Sequence, residues 1–250
     1  MFFAKKTSFT LRVYQRLFGC KRFEKQHKTS KQAFTRNRKL PFGAMLELLL
    51  RKSIKSLQIK LNEWNEALDY SITASAFSQA RKKFRHTAFI ELLQKCIVDS
   101  MYQDDDYVTY KGHRLLAVDG TTLRLPKSEE CLESFGKVRN SVEAKASILY
   151  DLLNRIPLHA ELFPGRTNDL SCAPTHLAHI DSDDIILADR GYDSYRFFAA
   201  ILAENANFIV RSKAKNRRKL HELTPSSRHR ERTLIVSVRS KRTTSSNSQV

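Results

Sequence analysis

Hydrophobic and polar residues follow two different periods along this chain of 250 residues. Between residues 41 and 102 the apolar residues recur at mostly helical spacing, in the stretches PFGAMLELLLRKSIKSLQIKLNEW, ITASAFSQARKKF and TAFIELLQKCIVDSMY. Pro41 stands near the first turn of the first stretch, and Thr73 or Ser75 is placed to cap the second. The pattern therefore predicts a small all-helical unit over residues 41–103.

From residue 114 the pattern changes to short apolar runs separated by turn residues. RLLAVDGTTLRL (114–125) predicts a strand, and residues 144–165 predict two strands of a hairpin that turns at Asn154-Arg155. Four further segments follow: a helix capped by Thr167 or Asn168, the strand DDIILADRGY, the helix SYRFFAAILAENA and a last strand, NFIVRSKAK. The order β-β-β-α-β-α-β predicts an α/β fold with a mixed sheet and helices on its faces.

Charge is distributed unevenly around this plan. The net charge is +18, yet residues 1–60 hold 16 Lys and Arg against two acids, residues 211–250 hold 12 against two, and residues 61–210 hold 16 against 22. Clustered Lys and Arg suit a phosphate backbone, because neutralising it releases counterions. We expect a nucleic-acid partner; the alternative is a soluble protein with basic, partly disordered ends. The helical unit is then either a packing domain or a DNA contact.

The cysteines and the hydropathy exclude several other classes of protein. The four cysteines are scattered without a C-x-x-C motif, which is typical of reduced intracellular thiols rather than of a zinc site or a disulfide framework. No run of about 18 apolar residues predicts a membrane span. The basic amino-terminal stretch lacks the pattern of a signal peptide. We therefore expect no membrane partner.

Two aspartates stand where chemistry is expected in an α/β sheet. Asp119 follows LLAV and Asp189 follows IILA, and a glycine comes within two residues of each, allowing a sharp turn. Open α/β sheets bind ligands at the carboxyl ends of their strands. Paired carboxylates there can hold Mg²⁺ or Mn²⁺, the ions that activate phosphodiester cleavage. For either aspartate alone, an ordinary turn is the alternative.

Several ordered blocks together resemble one family. They are FTRNRKLPF with SLQIKL, ITASAFSQARKKF, AVDGTTLRLP, AKASILYDLLNRIPLHAELFPGRTND, LADRGYDS and FIVRSKAK, between about residues 34 and 215. In this order they resemble the DDE transposases of bacterial insertion sequences, in the group named after insertion sequence four. The resemblance implies a ribonuclease-H-like fold and a metal-dependent reaction that nicks a transposon end and joins it to target DNA.

The resemblance also implies roles for residues and partners. Asp119 and Asp189 would be the first two of three carboxylate ligands of Mg²⁺ or Mn²⁺. The partners would be double-stranded DNA, at transposon ends and target, and a second copy of the chain in a homodimer, in a bacterial cytoplasm near the nucleoid. The residues that we expect to contact DNA are Arg36, Arg38, Lys39, Arg81, Lys82, Arg166, Arg190 and Lys213.

Some of these side chains have more than one interpretation. Arg190 meets a phosphate or, as we slightly favour, forms an ion pair with a carboxylate. Tyr192 stacks on a base or, more in keeping with its position, belongs to the edge of the core. Asn168 beside Arg166 approaches DNA or lies in a solvated loop. His176 and His179 share a helix face, which we interpret as polar rather than as a metal site.

This sequence departs from the family pattern mainly in the third acidic ligand. Relatives place a glutamate on a later helix, in a block of Tyr, Arg, Glu and Lys, and this chain shows no such block. We expect a truncated transposase that lacks the third ligand. The alternatives are a non-catalytic DNA-binding module that inhibits the intact transposase, and a nuclease that uses Glu204 or Glu231 instead. The expected segments are a basic arm (1–40), the helical domain (41–103), a linker (104–113), an incomplete catalytic domain (114–215) and a basic tail (216–250).

Overall fold

The chain forms two compact units. The computed structural model describes residues 11–35, 40–51, 55–68, 71–104 and 106–211. One unit comprises Met1–Tyr107 and the other Val108–Val250. The boundary between them lies inside the segment 104–113, which the sequence predicts as a linker.

The described part of the first unit consists mainly of helices. After helical residues 11–18 come α1 (Lys21–His27), α2 (Phe42–Leu50), α3 (Leu57–Leu68), α4 (Ala74–Arg81) and α5 (Thr87–Leu92), which continues through a π-helical stretch (Leu93–Val98) into a last turn (Asp99–Tyr102). Pro41 is the N-cap residue of α2. Thr73 caps α4, because its hydroxyl oxygen accepts a hydrogen bond from the Ala76 amide at 3.1 Å. The helical prediction for residues 41–102 is confirmed in these elements.

Helix α2 organises the core of this unit because it is apolar on more than one face. Met45 and Leu48 pack in one cluster, and Phe42 and Leu46 pack in a second. The first cluster also contains Leu40, Leu61, Trp64, Ile72 and Phe77, and the second contains Phe23, Ala88, Leu92 and Cys96. A helix that is hydrophobic nearly all round is one that its neighbours surround.

Helix α1 belongs to this packing. Its Phe23 and His27 are buried, although the sequence around them predicts a basic arm or a short helix. The His27 ring nitrogens lie 2.7 Å from Glu91 Oε2 and 2.8 Å from Thr87 Oγ1. Within the segment 1–40, which the sequence analysis describes as a basic arm, residues 21–27 thus form a short helix whose apolar side packs in the core.

The second unit carries the sheet. Its elements are β1 (Leu115–Leu125), α6 (Glu129–Phe135), β2 (Lys137–Val138), β3 (Ser141–Asp151), β4 (Ile156–Pro164), α7 (Asp169–Cys172) with a 3-10 helix (Ala173–His179), β5 (Ile185–Ala188), a 3-10 turn (Arg190–Tyr192), α8 (Tyr195–Ala203) and β6 (Asn207–Val210). Helix α6 and the short β2 were not predicted. The remaining elements follow the predicted order β-β-β-α-β-α-β, so the predicted fold class is confirmed.

The sheet is mixed, with its strands in the order β4-β3-β1-β5-β6. Strands β1, β3 and β4 pair antiparallel, whereas β1–β5 and β5–β6 are parallel. The β3–β4 hairpin turns where the sequence predicts, because Asp151 Oδ1 accepts hydrogen bonds from the amides of Leu153 and Asn154, both at 2.9 Å. Within the described residues, no helix is long and apolar enough to cross a membrane.

A buried ion pair closes one end of the β1–β5 strand pair. Arg114 precedes β1 and Asp184 precedes β5, and both side chains are buried. The guanidinium donates two hydrogen bonds to Asp184, Nε to Oδ1 at 2.8 Å and Nη2 to Oδ2 at 2.6 Å. Asp181 adds a contact to Nη2 at 2.8 Å. This bidentate geometry offsets the desolvation penalty of burying both charges.

Candidate active site

The opposite end of the same strand pair holds Asp119 and Asp189. The parallel register pairs Val118 with Ala188 as its last step. The two aspartates directly follow this last pair, so they stand at the same end of the β1–β5 pairing, although β1 itself continues to Leu125. Both residues are exposed. Strand pairing therefore brings together two carboxylates that lie 70 residues apart in the chain.

Each aspartate uses one carboxylate oxygen to hold its own backbone. Asp119 Oδ1 accepts a hydrogen bond from the Gly120 amide at 2.7 Å, and Asp189 Oδ1 accepts one from the Gly191 amide at 2.8 Å. These bonds orient both carboxylates. Oriented, solvent-accessible carboxylate oxygens are the ligands that Mg²⁺ and Mn²⁺ prefer, with waters or substrate oxygens in the remaining positions. The pair fits a divalent ion in its donor chemistry.

The role of Gly120 differs from the prediction. We expected Asp119 to end its strand and Gly120 to turn the chain away, but β1 continues to Leu125 because its antiparallel pairing with β3 continues to Val142. Gly120 is needed for space instead. A Cβ at this position would lie 2.6 Å from Asp169 Oδ1 and 2.7 Å from Lys145 Cε. A side chain cannot be accommodated there without moving its neighbours.

Lys145 and Asp169 are site residues that the sequence analysis missed. Lys145 Nζ lies 2.6 Å from Asp169 Oδ1 and packs over Gly120. Asp169 begins α7, which Asn168 caps by accepting hydrogen bonds from the amide and hydroxyl of Ser171, so Asn168 is the cap that the sequence suggested. The alternation of β3 was the available clue, since it places Lys145 on the same face as the buried Ser147 and Leu149. An inward-facing lysine requires an acidic partner.

Tyr192 lies beneath these carboxylates. It is 1% exposed, so it belongs to the core, as we favoured. Burial raises the pKa of Tyr192, and the charges of Asp169, Asp119 and Asp189 raise it further. Its hydroxyl makes no hydrogen bond of normal geometry, although the neighbouring Ser147 hydroxyl, which lies 2.8 Å from His176 Nε2, is close enough to act against these effects on the pKa. A buried, protonated phenol thus lies within electrostatic reach of the three carboxylates.

The histidines do not form the polar helix face that we predicted. His176 is 1% exposed, because the 3-10 helix lays it against β3 and β4. Its Nδ1 lies 2.9 Å from His159 Nδ1, and the His159 ring stacks on His179 at 4.2 Å between centroids. Burial, reinforced by His159 and His179, lowers the pKa of His176 to about 4. The cluster is therefore neutral at pH 7.

Asp169 is a carboxylate near Asp119 and Asp189, but it is paired with Lys145. Within the described residues, no three His, Cys, Asp or Glu side chains are arranged to hold a metal ion. Glu204 is the C-cap residue of α8, beside Asn205, whose carbonyl accepts a hydrogen bond from the Asp183 amide. It therefore lies at the Arg114–Asp184 end of β5, a strand length or about 13 Å from Asp189. Glu222 and Glu231 lie outside the described residues.

The predicted DNA contacts divide into two groups. Arg81, Lys82, Arg166 and Arg190 are exposed. Among the residues that the structure describes, Arg190 forms no ion pair, although we favoured a carboxylate partner for it. The other predicted contacts lie outside the described ranges; they are Arg36, Arg38, Lys39 and Lys213.

The comparison with family models identifies the second unit. The model described as "Transposase DDE domain" matches residues 110–249, which is more than half of the chain. The chain belongs to this family. The match spans both Asp119 and Asp189, and the DDE transposase domain is a nuclease and strand-transfer domain that uses divalent metal ions. A comparison with curated proteins found no match.

A comparison with solved structures found three that are distantly similar to this chain. The piggyBac transposase synaptic complex with hairpin DNA is 13% identical, with a TM-score of 0.36, over 74% of this chain and 43% of that one. The Mos1 transposase paired-end complex with left transposon end is 12% identical, with a TM-score of 0.27, over 63% and 59%. The simian T-cell lymphotropic virus intasome, in complex with PP2A regulatory subunit B56 gamma, is 16% identical, with a TM-score of 0.28, over 52% and 44%. This chain thus spans about half the length of these proteins.

Proposed function

We propose that this DDE transposase acts in DNA transposition and that Asp119 and Asp189 hold its divalent ion. The observation that carries the proposal is the parallel register of β1 and β5, which ends at Val118 and Ala188 and leaves both carboxylates exposed at one end of the sheet. The ordered blocks of the sequence support assignment to the insertion-sequence-four group.

The chain's own residues orient the reaction. Asp119 and Asp189 would hold a divalent ion with the oxygen that their backbone hydrogen bonds leave free, and such an ion would supply Lewis-acid activation of a phosphodiester. Because the carboxylates are already fixed, they would need little reorganisation, which is the condition for electrostatic stabilisation of a transition state. Gly120 and Gly191 supply the amides that keep the carboxylates in place.

DNA binding rests on the basic segments. The 16 Lys and Arg against two acids in residues 1–60 favour binding through phosphate groups. Arg81 and Lys82 in the helical unit and Arg166 and Arg190 in the α/β unit are exposed and suited to such contacts. Arg36, Arg38, Lys39 and Lys213 complete the set that we propose. A homodimer and a place near the nucleoid remain parts of the same proposal.

The chain by itself is proposed to bind DNA and a divalent ion without cutting DNA at a useful rate. Two carboxylates hold one ion, whereas a two-ion site needs a further acid, and the described residues offer no three-ligand group. Loss of such an electrostatic contribution costs about a hundredfold or more in rate. This favours, as a second candidate function, a DNA-binding chain that inhibits an intact transposase by forming mixed dimers.

A cleavage assay tests both statements. The full chain is incubated with Mg²⁺ or Mn²⁺ and DNA carrying the element's ends, beside Asp119→Ala and Asp189→Ala. We expect binding whose logarithmic salt slope is about −0.9 per neutralised phosphate, and little cleavage. Cleavage that both substitutions abolish would refute the inactivity and support the site. Cleavage that neither substitution affects would refute the assignment of the two aspartates.

A further inference from the structure

A partly buried cation stands beside the backbone of one candidate ligand. Lys145 is 15% exposed, and its Nζ lies 2.6 Å from Asp169 Oδ1. The pair packs against Gly120, where a Cβ would lie within 2.7 Å of both side chains. Because Gly120 directly follows Asp119 and its amide holds the Asp119 carboxylate, the Lys145–Asp169 pair touches the backbone that orients a candidate ligand.

Asp169 also approaches the backbone beside the second aspartate. Its Oδ2 lies 3.6 Å from the position of a Cβ on Gly191, whose amide holds Asp189. Asp169 Oδ1 is buried and has no hydrogen bond of normal geometry, so its contact with Lys145 is one of charge. The carboxylate thus lies between the two turns that carry the candidate ligands.

Tyr192 shows that three carboxylates share this region. Its hydroxyl is buried and makes no hydrogen bond of normal geometry, and Asp169, Asp119 and Asp189 each act on it electrostatically. Asp169 therefore lies close enough to the two candidate ligands for its charge to add to theirs.

We infer that Asp169 and Lys145 set the affinity of the divalent-ion site in opposite directions: Asp169 is a positioning residue that strengthens binding, and Lys145 is a resident cation that weakens it. The inference rests on the proposed function. Lys145 cancels part of the charge of Asp119, Asp169 and Asp189 while no ion is bound, so the acidic cluster remains folded. When an ion binds, the same ammonium repels it.

The expected size follows from Coulomb's law. A unit charge several ångströms from a doubly charged ion changes its binding by about tenfold in a water-like dielectric, and by more where the site is dry. Because Lys145 is partly buried, salt screens its charge less than it screens the charge of an exposed lysine. Removing its charge should therefore tighten binding about tenfold, and removing the charge of Asp169 should weaken binding by a similar factor.

An ordinary structural ion pair makes a different prediction. If the pair only holds α7 against β3, then losing either partner destabilises the fold in the same direction, and neither change moves ion affinity specifically. The sign of the two effects therefore separates the interpretations. A general loss of folding would lower ion binding in both variants and would never raise it.

The test is a titration of the full chain with Mn²⁺, followed by electron paramagnetic resonance of the free ion. The variants are Lys145→Met, Asp169→Asn, the double variant, and Lys145→Arg, which keeps the charge. Lys21→Met and Glu63→Gln are charge-matched controls, because both residues lie in exposed ion pairs of the other unit. Asp119→Asn and Asp189→Asn identify the site. Thermal unfolding shows that each variant is folded.

Support requires tighter Mn²⁺ binding in Lys145→Met, weaker binding in Asp169→Asn, and wild-type affinity in Lys145→Arg, in the double variant and in both controls. If the wild type binds Mn²⁺ through Asp119 and Asp189 but the two single variants shift in the same direction or not at all, the inference is wrong and the proposed function stands. If Mn²⁺ binding does not depend on Asp119 and Asp189, the proposed site is wrong and the inference fails with it.

Discussion

The two ends of the β1–β5 strand pair treat charge in opposite ways. At the end before the strands, Arg114 and Asp184 are buried and bonded through two hydrogen bonds. At the other end of the β1–β5 pairing, Asp119 and Asp189 are exposed. One carboxylate oxygen of each accepts a hydrogen bond from a nearby backbone amide. The first end satisfies its groups internally and the second leaves acceptors free. Stability and ligand binding are thus divided between the two ends of one structural element.

We call the end with Arg114 and Asp184 the closed end and the end with Asp119 and Asp189 the open end. The largest loss of stability should come from removing the Arg114–Asp184 ion pair at the closed end. Arg114→Met leaves the Asp184 carboxylate buried without its partner, so we expect a loss of about 3–5 kcal/mol in the free energy of unfolding. Urea denaturation followed by circular dichroism measures it. Lys21→Met, which removes a charge from an exposed pair, is the control and should change little. If the free energy of unfolding falls no more than in the control, the Arg114–Asp184 pair does not stabilise this end of the sheet.

The histidine cluster should make stability depend on pH. Because burial lowers the pKa of His176 to about 4, protonation favours the unfolded state. The stabilisation is complete above about pH 6.5 and is lost as the pH falls towards 4, at about 1.4 kcal/mol per pH unit for one proton. Between pH 6.5 and pH 5 we expect a loss of about 2 kcal/mol.

The matched variant for this prediction is His176→Gln, which keeps a polar side chain without the titration. Unfolding in urea at pH 7, 6 and 5 should give a shallower pH slope for the variant than for the wild type. His159 and His179, whose pKa values burial also lowers, should account for part of the slope that is left. Equal slopes would show that His176 is not neutral and buried in solution.

Substitutions at the open end should change divalent-ion affinity and leave the free energy of unfolding almost unchanged. Asp119→Asn and Asp189→Asn keep the oxygen that accepts the backbone hydrogen bond, so we expect the free energy of unfolding to change by less than about 0.5 kcal/mol. Divalent-ion affinity, measured by isothermal titration calorimetry, should fall at least about tenfold. A loss of stability comparable with that of Arg114→Met would remove the distinction between the two ends.

The smallest effect is expected at Tyr192. Its hydroxyl has no hydrogen bond of normal geometry to lose, so Tyr192→Phe should be neutral or slightly stabilising, within about 1 kcal/mol. Ser147→Ala is the comparison, since it removes the hydrogen bond to His176 and should cost about 1 kcal/mol. Thermal unfolding measures both. A cost above about 2 kcal/mol for Tyr192→Phe would reveal a hydrogen-bond partner and weaken the view of the open end as unsatisfied.

Much of the fold was predictable because it depends on local patterns. The helical spacing after Pro41 and the cap at Thr73 identify α2 and α4, and the run before Asp119 identifies β1. Periodicity and caps depend on residues within one or two turns of each other. The pairing of Asp119 with Asp189 at one end of the sheet also followed, because the element order allows few topologies.

The sequence alone determined the element order, the uneven charge and the two candidate ligands, whereas only the tertiary structure decided what surrounds them. Lys145 meets Asp169 across 24 residues, and Arg114 meets Asp184 across 70. His176 is buried because the 3-10 helix lies on β3, although its own segment is polar enough for a surface. Such contacts depend on strand register and helix placement, which arise from packing over the whole unit and leave no local pattern in the chain.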